Sequence, residues 1–328
     1  MMFVRATLAG ALSLGLLAAP TAAEAQSAKN VRLGYLSSNP PSDTEAALHA
    51  FRARFRDLGY VEGQKLVIDY RYAEGTFEKL PQLAGELARL RVDVMLVYGT
   101  PAALAAKNST TEIPIVFAGV NDPLIVGLVR SLRQPGGNVT GVTTNNSELS
   151  AKRLSLLKET VPTASRVAVL ANPDFKPSST MLGEMQLAAR PLGVQLHVVE
   201  VRQAEDLSAA FTRITAARPG AIVVLPDPWL LSQRARVVEL VTKSRLPAIY
   251  HLRQYLEVGG LMAYGPSYSE SFRQAAVLVD RILKGAAPRD LPVEQPWRFE
   301  LVINLKAAKS LDLTVPPSVL LMADQLIE

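Results

Sequence analysis

The sequence predicts an α/β protein of two lobes, each a parallel sheet covered by helices on both faces. A chain of 328 residues exceeds one ordinary core and suits two lobes of roughly 130 to 150 residues each. From Val31 onward, short β-branched runs alternate with helical patterns, and that repetition is the mark of buried parallel sheets. A Pro, Gly and Asn-rich stretch, Gln134 to Asn146, then interrupts the series before a second one begins at Arg166.

"VRLGYLS" is the first strand, and Ser42 to Glu45 has the S-x-x-E spacing of a capping box that opens the first helix. Ala47, Phe51, Phe55 and Leu58 put one apolar face on that helix. "KLVIDYRY" alternates as a strand, and Thr76 to Leu90 is amphipathic with Phe77, Leu80, Leu83, Ala84 and Leu87 inward. "DVMLVYG", "IPIVFAG", "RVAVLAN", "VQLHVVEV", "AIVVLPD" and "LPAIYH" are further strands. Gln134 to Asn146 is expected to be the first crossing between lobes, with "GGLMAYGPS" and "WRFELVIN" as later crossings. The helix from Ser269 to Lys284 then covers lobe one, and the chain returns to lobe two after Leu291. Residues 26–143 plus 264–290 form lobe one, and residues 144–263 plus 291–328 form lobe two.

Residues 1–25 read as a signal peptide: Arg5 precedes an uncharged stretch from Ala6 to Ala19, and Ala23-Glu24-Ala25 is a small-x-small cleavage site. The apolar stretch falls short of the roughly 20 residues that cross a bilayer. With no cysteine, disulfides, thiolate metal sites, a cysteine nucleophile and a lipidated N-terminal cysteine are excluded. A periplasmic protein that is not a lipoprotein is expected. The net charge of +5 is unchanged by cleavage, because Arg5 and Glu24 leave together. The basic residues are interspersed with acids, as in "FRARFRDLGY", so no nucleic-acid partner is expected.

Ligands of an open parallel sheet bind beyond the carboxyl ends of its strands. Three such ends place an N-cap residue before proline: Thr100-Pro101, Asp122-Pro123 and Asp227-Pro228. "LANPDFKPSS" is a looser version, with Asn172 and Asp174. Capping and binding are compatible: helix N-termini suit a carboxylate, and Asp122 and Asp227 suit an ammonium group, so a zwitterion would use both. Tyr35, Tyr98, Tyr250 and Tyr264 lie at or near strand ends, and Trp229 follows Pro228; such rings serve a core or a flat ligand. Nucleotide-phosphate cradles, G-x-S-x-G and H-E-x-x-H are absent, and His49, His197 and His251 lack metal-ligand spacing, so neither cofactor nor metal is expected. The opposing reading is an exported hydrolase or transferase using Asp122 or Asp227 as acid or base.

"FRDLGYVEGQKLVIDYRYAEG", "IPIVFAGVNDPLIVGLVRSLRQPGGNVTGVTT", "MAYGPSYSESFRQAAVLVDRILKGAAPRDLPVEQPWRFELVINLKAAKSLDLTVPPSVL" and the terminal "ADQLIE" together resemble the ABC-transporter substrate-binding protein family, in its tryptophan and tyrosine transport-related branch. The resemblance covers nearly all the chain after the signal peptide. It implies a periplasmic-binding-protein type I fold, with two Rossmann-like lobes closing on a small molecule. Carried over by position, the ligand-binding residues would be Ser37, Ser38, Gly99, Thr100, Asn121 and Asp122 in lobe one. In lobe two they would be Asn172, Pro226 and Asp227, with Tyr250 and Tyr264 near the hinge. The implied protein is a monomer that performs no chemistry. It hands an aromatic amino acid or related carboxylate to an inner-membrane permease, or, alternatively, presents its ligand to a sensory receptor.

Overall fold

The computed structural model describes residues 30–328, and the expected signal peptide lies outside them. Strands β1 (Val31–Ser37), β2 (Leu66–Tyr72), β3 (Val94–Tyr98), β4 (Ile115–Val120) and β5 (Val139–Thr143) form one sheet in the order β2-β1-β3-β4-β5, parallel throughout. The second sheet contains β6 (Arg166–Ala171), β7 (Gln195–Glu200), β8 (Ala221–Val224), β9 (Ala248–Tyr250), β10 (Met262–Pro266), β11 (Phe299–Asn304) and β12 (Gln325–Ile327). Their order is β12-β11-β10-β9-β8-β6-β7, parallel except where β10 meets β11. The architecture is the α/β, two-sheet one that the strand-helix alternation predicts.

Period-two geometry explains the layers, because successive side chains leave a strand on opposite faces. In β3, Val94, Leu96 and Tyr98 join one apolar cluster, while Met95 and Val97 join the cluster on the other face. In β6, Val167 and Val169 face one layer and Ala168 and Leu170 the other. Both faces are therefore covered by helices, and central strands read as unbroken apolar runs.

The crossings differ in detail from the sequence expectation. Within Gln134 to Asn146, Val139–Thr143 is the strand β5, and the chain leaves for the second lobe at Thr144 and Asn145, just before the helix Asn146–Thr160. "GGLMAYGPS" and "WRFELVIN" supply the antiparallel strands β10 and β11 rather than bare connections. The helix Tyr268–Leu283 lies on the helix Pro41–Asp57 of lobe one, and Phe272, Ala275 and Val279 enter that lobe's core. Val293 N–H then donates to the Leu132 carbonyl at 2.7 Å and Glu294 N–H to the Gly141 carbonyl at 2.8 Å, holding the chain on lobe one until it rejoins the second sheet at Phe299. Tyr264 consequently lies in the second sheet, and residues 291–294 lie against the first, which moves both edges away from the boundaries expected at 264 and 291.

The lobes are shut on one another. Arg234 of lobe two reaches Asp43 of lobe one at 2.8 Å, and a Cβ placed on Gly75 would lie 3.3 Å from Ser232 Cβ across the cleft. No helix among the described residues is long and apolar enough to cross a membrane.

Candidate functional site

The carboxyl ends of β1, β3 and β4 come together because these strands are neighbours in one parallel sheet. Ser38 follows β1, and its buried Oγ accepts the Ala102 N–H at 3.1 Å, in the first turn of the helix Thr100–Ser109. Gly99 has φ of 89°, and a Cβ there would stand 3.0 Å from Ser38 Oγ, so both the backbone angle and the close approach call for glycine. Thr100 stands inside the helix rather than at its N-cap, and its Oγ1 accepts the Asn121 N–H at 3.2 Å. Two polar side chains, Ser38 and Thr100, are thus fixed at one sheet edge by contacts with backbone amides.

Across the cleft, Asp227 follows β8 and caps the short helix Pro228–Ser232 as the Asp-Pro pair predicts: Oδ1 accepts the Leu230 N–H at 2.6 Å. Oδ2 accepts from Asn172 Nδ2 at 3.2 Å, and Asn172 Oδ1 accepts the Asp174 N–H at 3.0 Å. Asp227 is 2% exposed, and burial pushes its carboxyl up to about 6, against the opposing pull of the Leu230 and Asn172 hydrogen bonds. Among the described residues this buried carboxylate has no ion-pair partner, an arrangement that favours a ligand bringing a cation.

These groups bound a cavity of about 30 Å³ with walls from both lobes: Ser38, Gly99, Thr100 and Asn121 on one side, Asp227, Pro228 and His251 on the other. It has room for little more than a water. Two larger cavities adjoin it. One, of about 340 Å³, shares Thr100, Asp227 and Pro228 with it and is walled by Phe77, Leu104, Phe175 and Trp229, with Asn172 at its edge. The other, of about 250 Å³, shares Tyr98, His251, Leu252 and Tyr268 and has a mixed lining that includes Asp43 and Gln254. His251 is held neutral, its pKa driven well below the usual histidine range by burial and then by the nearby Arg153 charge.

Ser38, Gly99, Thr100, Asn121 and Asp227 therefore meet at one cavity, with Asn172 beside it. Five other candidates sit elsewhere. Ser37 turns its hydroxyl to the Asn39 backbone, and Pro226 is buried behind Asp227. Tyr250 is fully buried in central strand β9, stacked on Tyr255 at 4.5 Å between ring centroids. Tyr264 leans on Phe299 across the β10–β11 pair, at 6.3 Å between centroids. Asp122 caps no helix. Its φ is 41°, its Oδ2 accepts from Ser147 Oγ at 2.6 Å, and burial raises its pKa while the Ser147 bond opposes the rise. The chain after Pro123 closes as turns, with Leu128 N–H on the Pro123 carbonyl and Gly127 at φ 74°, too short a run for a helix.

The site list drawn from sequence lacks Tyr98, His251, Tyr268, Phe77, Phe175 and Trp229, all of which line these cavities. Tyr98 and Trp229 carried a signal, being aromatics next to the capped strand ends. Phe77 did not, since its place in an amphipathic segment reads as core.

A family model described as ABC transporter substrate binding protein matches residues 43–327. A protein named tyrosine-binding protein, from Clostridioides difficile (strain R20291), is 26% identical over 285 residues, covering 87% of this chain and 81% of that protein. A conserved domain protein of Vibrio cholerae superposes with a TM-score of 0.83 at 28% identity, over 91% of this chain and all 100% of that one. A structure from Streptococcus pneumoniae, described as an ABC domain in complex with L-Trp, superposes with a TM-score of 0.80 at 27% identity, over 90% and 100% of the two chains.

Proposed function

The chain belongs to the ABC transporter substrate-binding protein family, with a type I periplasmic-binding-protein fold, and we propose that it carries an aromatic amino acid or a related aromatic carboxylate to an importer. The observation that carries this reading is a shared wall between two cavities. A small one, lined by Ser38, Thr100, Asn121 and Asp227, has Thr100 and Asp227 in common with a larger apolar one walled by Phe77, Phe175 and Trp229. An α-amino acid fits the larger cavity: its ring lies among the three aromatic side chains, and its ammonium group and carboxylate reach Asp227 and the Thr100 hydroxyl on the shared wall. The relative named for tyrosine and the structure solved with L-Trp point to the same ligand class.

The walls come from both lobes, so a ligand gains its full set of contacts only when the lobes are shut. That differential affinity is what shifts an open population to the closed one. The protein performs no chemistry in this reading: it is exported to the periplasm, closes on its solute and docks on an inner-membrane permease as a monomer. A Kd of about 1 μM corresponds to roughly −8 kcal/mol, within reach of a few charge-assisted hydrogen bonds and one buried ring.

Titration calorimetry of the protein against L-tryptophan, L-tyrosine, L-phenylalanine, L-leucine and glucose tests the assignment. Binding is expected for the aromatic amino acids, at one site and at micromolar concentrations or below, with the compound recovered unchanged. Binding of leucine or glucose in preference to every aromatic, or conversion of the bound compound, would overturn it.

A further inference from the structure

Asp43 stands in the first turn of the helix Pro41–Asp57, inside the stretch expected to form a capping box. No side chain caps that helix. Asp43 instead points across the cleft: its side chain is 2% exposed, and Oδ1 accepts from Arg234 Nη2 at 2.8 Å. Its Oδ2 accepts from Asn39 Nδ2 at 3.3 Å, and its backbone carbonyl accepts from Gln254 Nε2, also of lobe two, at 3.3 Å. Arg234 opens the helix Arg234–Lys243 and donates from Nη1 to the Leu231 carbonyl at 3.4 Å. Each partner is thereby tied to a residue that lines the small polar cavity, Asn39 in lobe one and Leu231 in lobe two. None of these contacts lies on the connecting segments between lobes.

We propose that Asp43 and Arg234 form a closure latch, an ion pair made only when the lobes are shut, which sets how fast a bound ligand leaves. The inference rests on the reading that the protein opens and closes on its ligand. An exposed surface pair would have little effect, being screened by water and salt. Here the carboxylate is buried and takes donors from both lobes. Opening must separate a desolvated pair, while the encounter of ligand with the open form precedes its formation. The latch therefore acts on dissociation and leaves association nearly untouched.

The test measures stopped-flow binding and displacement of L-tyrosine, followed by protein fluorescence, for wild type, Asp43→Asn, Arg234→Gln and the double variant. Each single variant is expected to release L-tyrosine about tenfold faster, or about 1.4 kcal/mol, with an association rate within threefold of wild type. The double variant is expected to be no faster than the quicker single one, because one interaction is lost in all three. Single variants within twofold of wild type, or a double variant showing the product of two independent effects, would overturn the latch. Failure of wild type to bind L-tyrosine speaks against the ligand assignment alone. In that case, the same release measurement with L-tryptophan decides: about tenfold faster release from both single variants supports the latch, and release within twofold of wild type overturns it.

Discussion

At the scale of single residues, Asp227 carries the most chemistry. Its carboxyl is pushed up to about 6 by burial, above the ordinary aspartate value of roughly 3.9. An acid whose folded pKa is raised contributes stability that is fully present below the unfolded value and is lost as pH rises through the folded one. Ligand-free protein should therefore lose about 2 kcal/mol between pH 4 and pH 7 from this group, and Asp227→Asn should flatten that part of the profile, as read by urea denaturation at each pH. A ligand ammonium group prefers the ionised carboxylate. Affinity for an aromatic amino acid should rise with pH up to about 6 and then level off, a dependence that calorimetry should find abolished, together with at least tenfold of the affinity, in Asp227→Asn. Its place as a helix cap was legible from sequence, because an Asp-Pro pair at a strand end is the pattern of an N-cap residue before proline at the first helical position. Asp122, the same pair in the same setting, was not, because Gly127 ends the segment before a helical turn can repeat.

At the scale of elements, period two and period 3.6 were enough to place the strands from β1 to β4 and from β6 to β9, but the crossings were blurred. A strand such as β10, with Gly265 and Pro266 at its end, carries the same residues as a connection. Gly265 is needed there because a Cβ would stand 2.1 Å from the His251 carbonyl oxygen, a contact that depends on the neighbouring strand and so leaves no local trace. Two crossings are joined by Arg153, fully buried on the helix Asn146–Thr160. Its Nε donates to the Tyr264 carbonyl at 2.7 Å and its Nη1 to the Asn146 carbonyl at 3.2 Å, while burial pushes its pKa down to about 9. Asn146 Nδ2 continues the chain of contacts by donating to Asn121 Oδ1, on the wall of the small cavity between the lobes. Arg153→Met should lower stability by about 2 to 4 kcal/mol, the cost of leaving buried acceptors without donors, in equilibrium denaturation of the ligand-free protein. An arginine at mid-helix reads from sequence as a solvated charge, and only the tertiary contacts show it as a strut.

At the scale of the whole molecule, two sheets present their carboxyl ends to one another, and every polar feature argued above lies along that junction. The sequence could say which residues stand at strand ends but not which of them face the opposite lobe. Tyr250 and Tyr264 illustrate the difference: Tyr250 ends β9 and Tyr264 lies in the middle of β10, and both turn into their own lobe. The aromatic wall joins Phe77 of lobe one to Phe175 and Trp229 of lobe two, so all three rings meet only when the lobes are shut. A crystal structure of the protein grown with L-tryptophan tests the central claim most directly. The ligand is expected with its ammonium group on Asp227 and its indole among Phe77, Phe175 and Trp229; an indole placed instead in the cavity lined by Asp43 and Gln254, or no ligand between the lobes, would contradict it.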